Sequence, residues 1–226
     1  MGQAISAVLT FAVGVAISPV PIIAVILMLF SARARVNGPA FLAGWVLALG
    51  VVCAVAYSVA DGANASTSSS ATDSIAWGKV VLGVLLLGAA RRQWSGRPGP
   101  GEEPKMPKWM AGIDSLPPGR AFVLGVLLAG VNPKNLVLTL AAATTVAQLG
   151  GISGTDATVA LVVFVVLASV TIAGPVLYSL LGGEHARTTL DGMKDWLRTH
   201  NAAVMAVLLL VFGVDLIAKG LPPITA

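Results

Sequence analysis

The chain has 226 residues, of which 56% are hydrophobic and only 11% charged, with a mean hydropathy of +0.88. Soluble domains carry about a quarter charged residues, so this composition excludes an ordinary water-soluble domain. The net charge of +4 is better explained by the loop bias of a membrane protein than by a nucleic-acid partner.

Six apolar spans are predicted, over 5–30, 39–60, 75–90, 120–149, 157–181 and 202–218. Their runs do not alternate in polarity, which argues for helices over barrel strands. No basic segment precedes the first run, and the run is too long for the core of a signal peptide; it is expected to stay as a first helix. Cys53 in the second span is a single thiol and cannot form an intramolecular disulfide. The third and sixth spans are short, and Lys79 near the start of the third could snorkel to the interface. Between the third and fourth lies a Pro- and Gly-rich segment, 91–119, expected to be an irregular linker. After the fifth span, Leu190, Met193 and Leu197 fall on one helical face with Trp196 beside them. Residues 184–198 are therefore expected to form an interfacial helix on the cytoplasmic leaflet. His185 and His200 share that polar segment without a metal-type cluster around them.

The loops differ sharply in charge. Segments 31–38, 91–120 and 182–201 hold Arg33, Arg35, Arg91, Arg92, Arg97, Lys105, Lys108, Arg120, Arg187, Lys194 and Arg198, whereas 61–74 and 150–156 hold no Lys or Arg. The positive-inside rule then places the basic loops in the cytoplasm and both termini outside.

Three spans followed by three give two halves of opposite orientation. "GVAISPVPIIAV" (14–25) resembles "LAGVNPKNLVLT" (128–139), "VAYSVAD" (55–61) resembles "VLYSLLG" (176–182), and "GVLLLG" (83–88) resembles "AVLLLV" (206–211). The expectation is an all-α integral membrane fold of six transmembrane helices in two inverted three-helix repeats. Residues 1–90 form the first repeat, 91–119 the cytoplasmic linker and 120–226 the second repeat. Pro19 and Pro21 fall near the middle of the first span and Pro133 near the middle of the fourth. Proline removes a backbone donor, so the first and fourth helices are expected to break at mid-membrane. In hydrocarbon the freed carbonyls must find partners, so both breaks should be buried in protein or line a wet cavity.

Lys134 lies beside the second break, 14 residues past Arg120, which is a depth of roughly 21 Å. An ammonium there needs a partner, a bound anion or a shifted pKa. Asp215, 13 residues past Ala202, reaches a depth of about 20 Å by the same rise. It could pair with Lys134 or carry a coupling proton. Ser18, Asn132, Asn135 and, one turn further, Thr139 add polar groups at this level. The candidate substrate-binding set is thus Ser18, Pro19, Pro21, Asn132, Pro133, Lys134, Asn135 and Thr139, with Asp215 as the coupling group.

At these residues the chain resembles the LysE translocator superfamily, in "SPVP" (18–21) and "NPKN" (132–135). The closer likeness is to its GAP branch of glycopeptidolipid- and sulfolipid-addressing proteins. It is carried by "AISPVPIIAVILMLFSARARVNGPAFLAGW" (16–45) and "WMAGIDSLPPGRAFVLGVLLAGVNPKNLVL" (109–138). Amino-acid exporters of the superfamily usually have Pro-Gly-Pro in the first motif; Val20 stands in place of that glycine here. The resemblance implies a plasma-membrane exporter, or a component that helps deliver glycolipids to the cell surface.

The expected function is proton-coupled export of a small or amphiphilic, glycolipid-related substrate. The alternatives are a non-transporting subunit of a lipid-export machine and an amino-acid or cation exporter of the LysE type. Expected partners are membrane lipids, the substrate, and either a second copy or the lipid-export machinery, without nucleic acid. No Ser–His pair, paired carboxylates or metal cluster lies within the spans, and there is no Gly-rich Lys-Ser/Thr loop. An enzyme, a resident metal and a cofactor are therefore not expected.

Overall fold

The computed structural model describes residues 1–65, 69–97 and 108–221. The described chain is all helical: α1 Gly2–Ala16, α2 Pro19–Leu29, α3 Ala34–Ala65, α4 Ser69–Ser95, a 3₁₀ segment Lys108–Ser115, α5 Pro118–Gly130, α6 Pro133–Ala147, α7 Gly154–Leu181 and α8 Gly183–Gly220.

Prolines set several of these boundaries. Pro19, Pro118 and Pro133 stand in the first turn of α2, α5 and α6, where the absent N–H costs nothing. The α1–α2 pair bends by 57° and the α5–α6 pair by 62°. Both expected mid-span breaks are thus present. By length and composition α3, α7 and α8 are each able to cross a membrane, and the two bent pairs raise the number to five. The described part of α4 has 27 residues, or ~40 Å.

Several helices overrun the expected spans. α3 continues to Ala65 and α4 opens at Ser69, so 61–65 and 69–74 of the expected loop are helical, and 66–68 lie outside the described residues. α4 also runs on through Arg91 and Arg92 to Ser95, into the expected linker, of which 98–107 lie outside the described residues. The expected interfacial helix over 184–198 is not separate. It is the first part of α8, a continuous helix of 38 residues, or ~57 Å, nearly twice a ~30 Å hydrocarbon core. A single Gly192 does not interrupt it. Ala186, Leu190 and Leu197 are buried, and α8 packs against α2, while Met193 and Trp196 stay exposed. Arg187 and Lys194 lie over the Phe30 ring at 5.8 and 5.5 Å, clamping the end of α2.

Glycines bring two helix pairs into backbone contact. A Cβ on Gly44 of α3 would overlap the Phe122 carbonyl oxygen of α5, and one on Gly125 of α5 would overlap that of Phe41. Gly83 of α4 and Gly213 of α8 face each other in the same way. Small residues at such points let apolar helices approach closely where no hydrophobic effect drives them together. The remaining packing is crossed: α1 lies on α7 and on α6, and α3 lies on α6 and α7. One end of the bundle gathers Phe30, Asn37, Leu116 and the start of α8. The other gathers Met1 with Asp156, Lys79 with Gln148, and Asp215 with Lys219.

Candidate functional site

The two breaks meet. In an unbroken helix the carbonyls of Gly14, Val15, Ala16 and Ile17 would accept from the N–H groups of residues 18–21. Pro19 and Pro21 have no N–H to give. The Ser18 N–H turns back to the Ala16 carbonyl at 2.9 Å. Replacement donors come largely from elsewhere in the chain. Lys134 Nζ donates to Gly14 O at 2.6 Å, to Ile17 O at 2.9 Å and to Ser18 Oγ at 2.7 Å. Ser18 Oγ lies 2.6 Å from Val15 O and 3.0 Å from Asn135 Oδ1, two acceptors for its one proton. Thr171 Oγ1 of α7 donates to Ala16 O at 2.5 Å. Every carbonyl released by the first break therefore has a donor.

An ammonium has three protons, and all three are engaged here. Lys134 is 4% exposed, and Ser18 and Asn135 are buried with it. The ammonium also faces the C-terminal end of α1, where the helix dipole concentrates negative partial charge. Around the second break, the Asn132 side chain caps α6 by accepting from Lys134 N at 3.1 Å. Asn135 Nδ2 donates to Leu128 O at 3.0 Å, a carbonyl left over because Asn132 N turns to Leu127 O instead.

The candidate residues therefore divide. Ser18, Lys134 and Asn135 form one hydrogen-bonded cluster; Pro19, Pro21 and Pro133 create the need for it, and Asn132 caps α6 beside it. Thr139 is buried but bonds back to Asn135 O at 2.7 Å within its own helix. Asp215 is not the mate of Lys134. Its Oδ2 accepts from Lys219 Nζ at 2.9 Å, near the end of α8, and Lys219 stands 4.5 Å from the Phe11 ring centre. The depth count from Ala202 fails because α8 enters as a helix at Gly183 and ends at Gly220. Asp215 is thus only five residues from the far end.

Two participants had no signal in the sequence. Gly14 contributes only a carbonyl, and a side chain there would overlap the Phe212 ring. Thr171 is one of many threonines, although Pro175, four residues on, marks that stretch of α7 as irregular.

A buried lysine that ties a broken helix of one half to the break in the other, inside an apolar bundle, is a specific arrangement. The family model described as Sap, sulfolipid-1-addressing protein, matches residues 8–222. The chain belongs to the sulfolipid-1-addressing protein family. The match spans both breaks and runs from the middle of α1 to just past the end of α8. No curated protein and no solved structure matches the chain. Within this family member the cluster is closed, and an anion can reach the Lys134 ammonium only by displacing one of its three acceptors.

Proposed function

We propose that this chain is a six-span plasma-membrane protein, built as two inverted three-helix repeats, that exports an amphiphilic, sulfolipid-like substrate by secondary transport. The observation that carries the reading is the Lys134 bridge. It ties the breaks of two bent helices together in the middle of the bundle, where a substrate path between repeats would run. The crossed packing of α1 on α7 and α5 on α3 supports an exchange of partners between halves. The family supports a lipid cargo, and the likeness of "SPVP" and "NPKN" to the LysE translocators supports export. The Arg- and Lys-rich loops face the cytoplasm in this reading, with both termini outside. α4 serves as the third span and Asp215 as the group that carries the coupling proton.

The closed cluster is the state in which the path is shut. Opening moves α1 and α2 off Lys134, and an anionic headgroup then takes the place of the carbonyls. The test is reconstitution of the purified chain in liposomes under an imposed proton gradient, with an anionic glycolipid and a set of amino acids as cargo. Gradient-dependent movement of the glycolipid, weakened by Asp215→Asn, is expected. Movement of neither class, with Asp215→Asn behaving as wild type in cells, overturns the reading.

A second reading is an accessory subunit of a lipid-export machine. It is favoured by the complete engagement of Lys134, which is what a purely structural staple requires. Liposomes would then move nothing, and Lys134→Ala would disturb assembly with the machine.

A further inference from the structure

α4 is held to the bundle chiefly by α8, through Gly83 and Gly213, and makes little contact with α3 or α6. A crevice of about 570 Å³ is left between α3 and α4, floored by α6. Its walls are nearly all apolar: Val55 and Val59 of α3, Leu82 of α4 and Leu140 of α6 among them, with Thr144 and Lys79 as the polar members. The α3 wall runs from Val51 to Ala60, a length of ~14 Å, or about half of a ~30 Å hydrocarbon core. The crevice is therefore one leaflet deep and open sideways.

Lys79 lies at the end away from the Arg-rich loops. Its ammonium donates to Gln148 Oε1 at 2.5 Å, at the C-terminus of α6. Among the described residues no carboxylate pairs with it, and Lys219, the nearby cation that acts on it electrostatically, already holds Asp215. Lys79 therefore sets an ammonium without a described carboxylate partner at the rim of a greasy slot, with Asp61 one residue past the α3 wall.

We propose that this crevice is a lateral binding site for one acyl chain of an anionic lipid, with the headgroup at Lys79. The chain lies against α3 and α6, and the headgroup shares the Lys79 ammonium with Gln148. The site deepens the lipid-export reading and rests on it for its meaning: it is where an amphiphile enters or leaves the bundle from the membrane. Its floor, α6, is the helix whose first turn holds Lys134, so occupancy of the crevice bears on the same helix that fastens the two breaks.

The variant Gly78→Leu tests the slot without threatening the fold. Gly78 lines the crevice, and a Cβ there meets nothing within 4 Å, so the leucine fills the slot instead of a neighbouring helix. The full chain in nanodiscs is photolabelled with phosphatidylglycerol or phosphatidylcholine carrying the same diazirine acyl chain. Peptides of α3, α4 and α6 around the crevice are expected to label about fivefold more with the anionic lipid, the factor for one lysine near an anionic headgroup. Lys79→Gln removes that preference while keeping acyl labelling. Gly78→Leu lowers labelling at the crevice to the level of the lipid-facing flanks. Equal labelling by both lipids, or labelling unchanged by Gly78→Leu, means annular lipid only and overturns the proposal. Selective labelling in a protein that transports nothing leaves the site standing and removes the transport reading; transport without selective labelling does the reverse.

Discussion

The first break, at Ile17–Ser18, and the second, at Val131–Asn132, bend their helices by 57° and 62°. They satisfy their freed backbone groups differently. At the second break Asn132 and Asn135 cap α6 and fill Leu128 O from within the same motif. The first has two prolines within three residues and one polar side chain, Ser18, which reaches only Val15 O among its freed carbonyls. Gly14 O, Ile17 O and part of the demand at Ala16 O fall to Lys134 and Thr171, more than a hundred residues away. The second break is thus capped from its own motif, whereas the first depends on the second half of the chain for most of its donors.

The strongest test of that contrast removes its long-range donor. Lys134→Met keeps the length of the side chain and leaves Gly14 O, Ile17 O and Ser18 Oγ without their donor in an apolar interior. Each buried, unsatisfied group costs about 1–3 kcal/mol, so a loss of roughly 3–5 kcal/mol is expected. Unfolding by SDS titration in mixed micelles reads it. A loss under about 1 kcal/mol would mean that water or other groups serve Gly14 O and Ile17 O in place of Lys134, and the contrast between the breaks would disappear.

Paired alanine variants sharpen the contrast. Ser18→Ala removes the cap on Val15 O and one acceptor of Lys134, so about 2 kcal/mol should be lost. Asn132→Ala removes an N-cap that waits near the surface of a half-buried turn, with an expected loss of about 1 kcal/mol. The same titration ranks them, and Asn132→Ala costing more than Ser18→Ala would put the weight on the second break instead.

The positions of both breaks were legible in the sequence because proline has one effect on a helix wherever it sits. Pro19, Pro21 and Pro133 marked them, and the depth of Lys134 called for a partner. The identity of that partner was not legible. Asp215 is the charge that would match a charge; the ammonium is in fact held by two main-chain carbonyls, which carry no sequence signal, and by the Ser18 hydroxyl, which the sequence did offer. The same blindness hid Gly14. Helix ends were misjudged for a related reason. Polar residues at 61–74 and 184–198 read as loop or interface, but a helix propagates through polar residues once it is started, because each added residue gains a backbone hydrogen bond. In α8 even Gly192 and Gly213 do not interrupt it between Gly183 and Gly220. Membership of the sulfolipid-1-addressing family was visible in the two phrases around the breaks.

Thr171→Val carries the smallest effect and the finest distinction. Valine keeps the shape and the β-branch of threonine, so α7 should pack as before. Only the hydroxyl donated to Ala16 O is lost, and that carbonyl keeps the Ser18 N–H at 2.9 Å. A second donor to an already satisfied acceptor contributes less than a sole donor, so about 0.5–1 kcal/mol is expected from the same titration. A loss matching that of Ser18→Ala would show that the Ser18 N–H does not serve Ala16 O in the membrane. The first break would then lean on α7 as heavily as on α6, and any motion that opens it would have to release both helices at once.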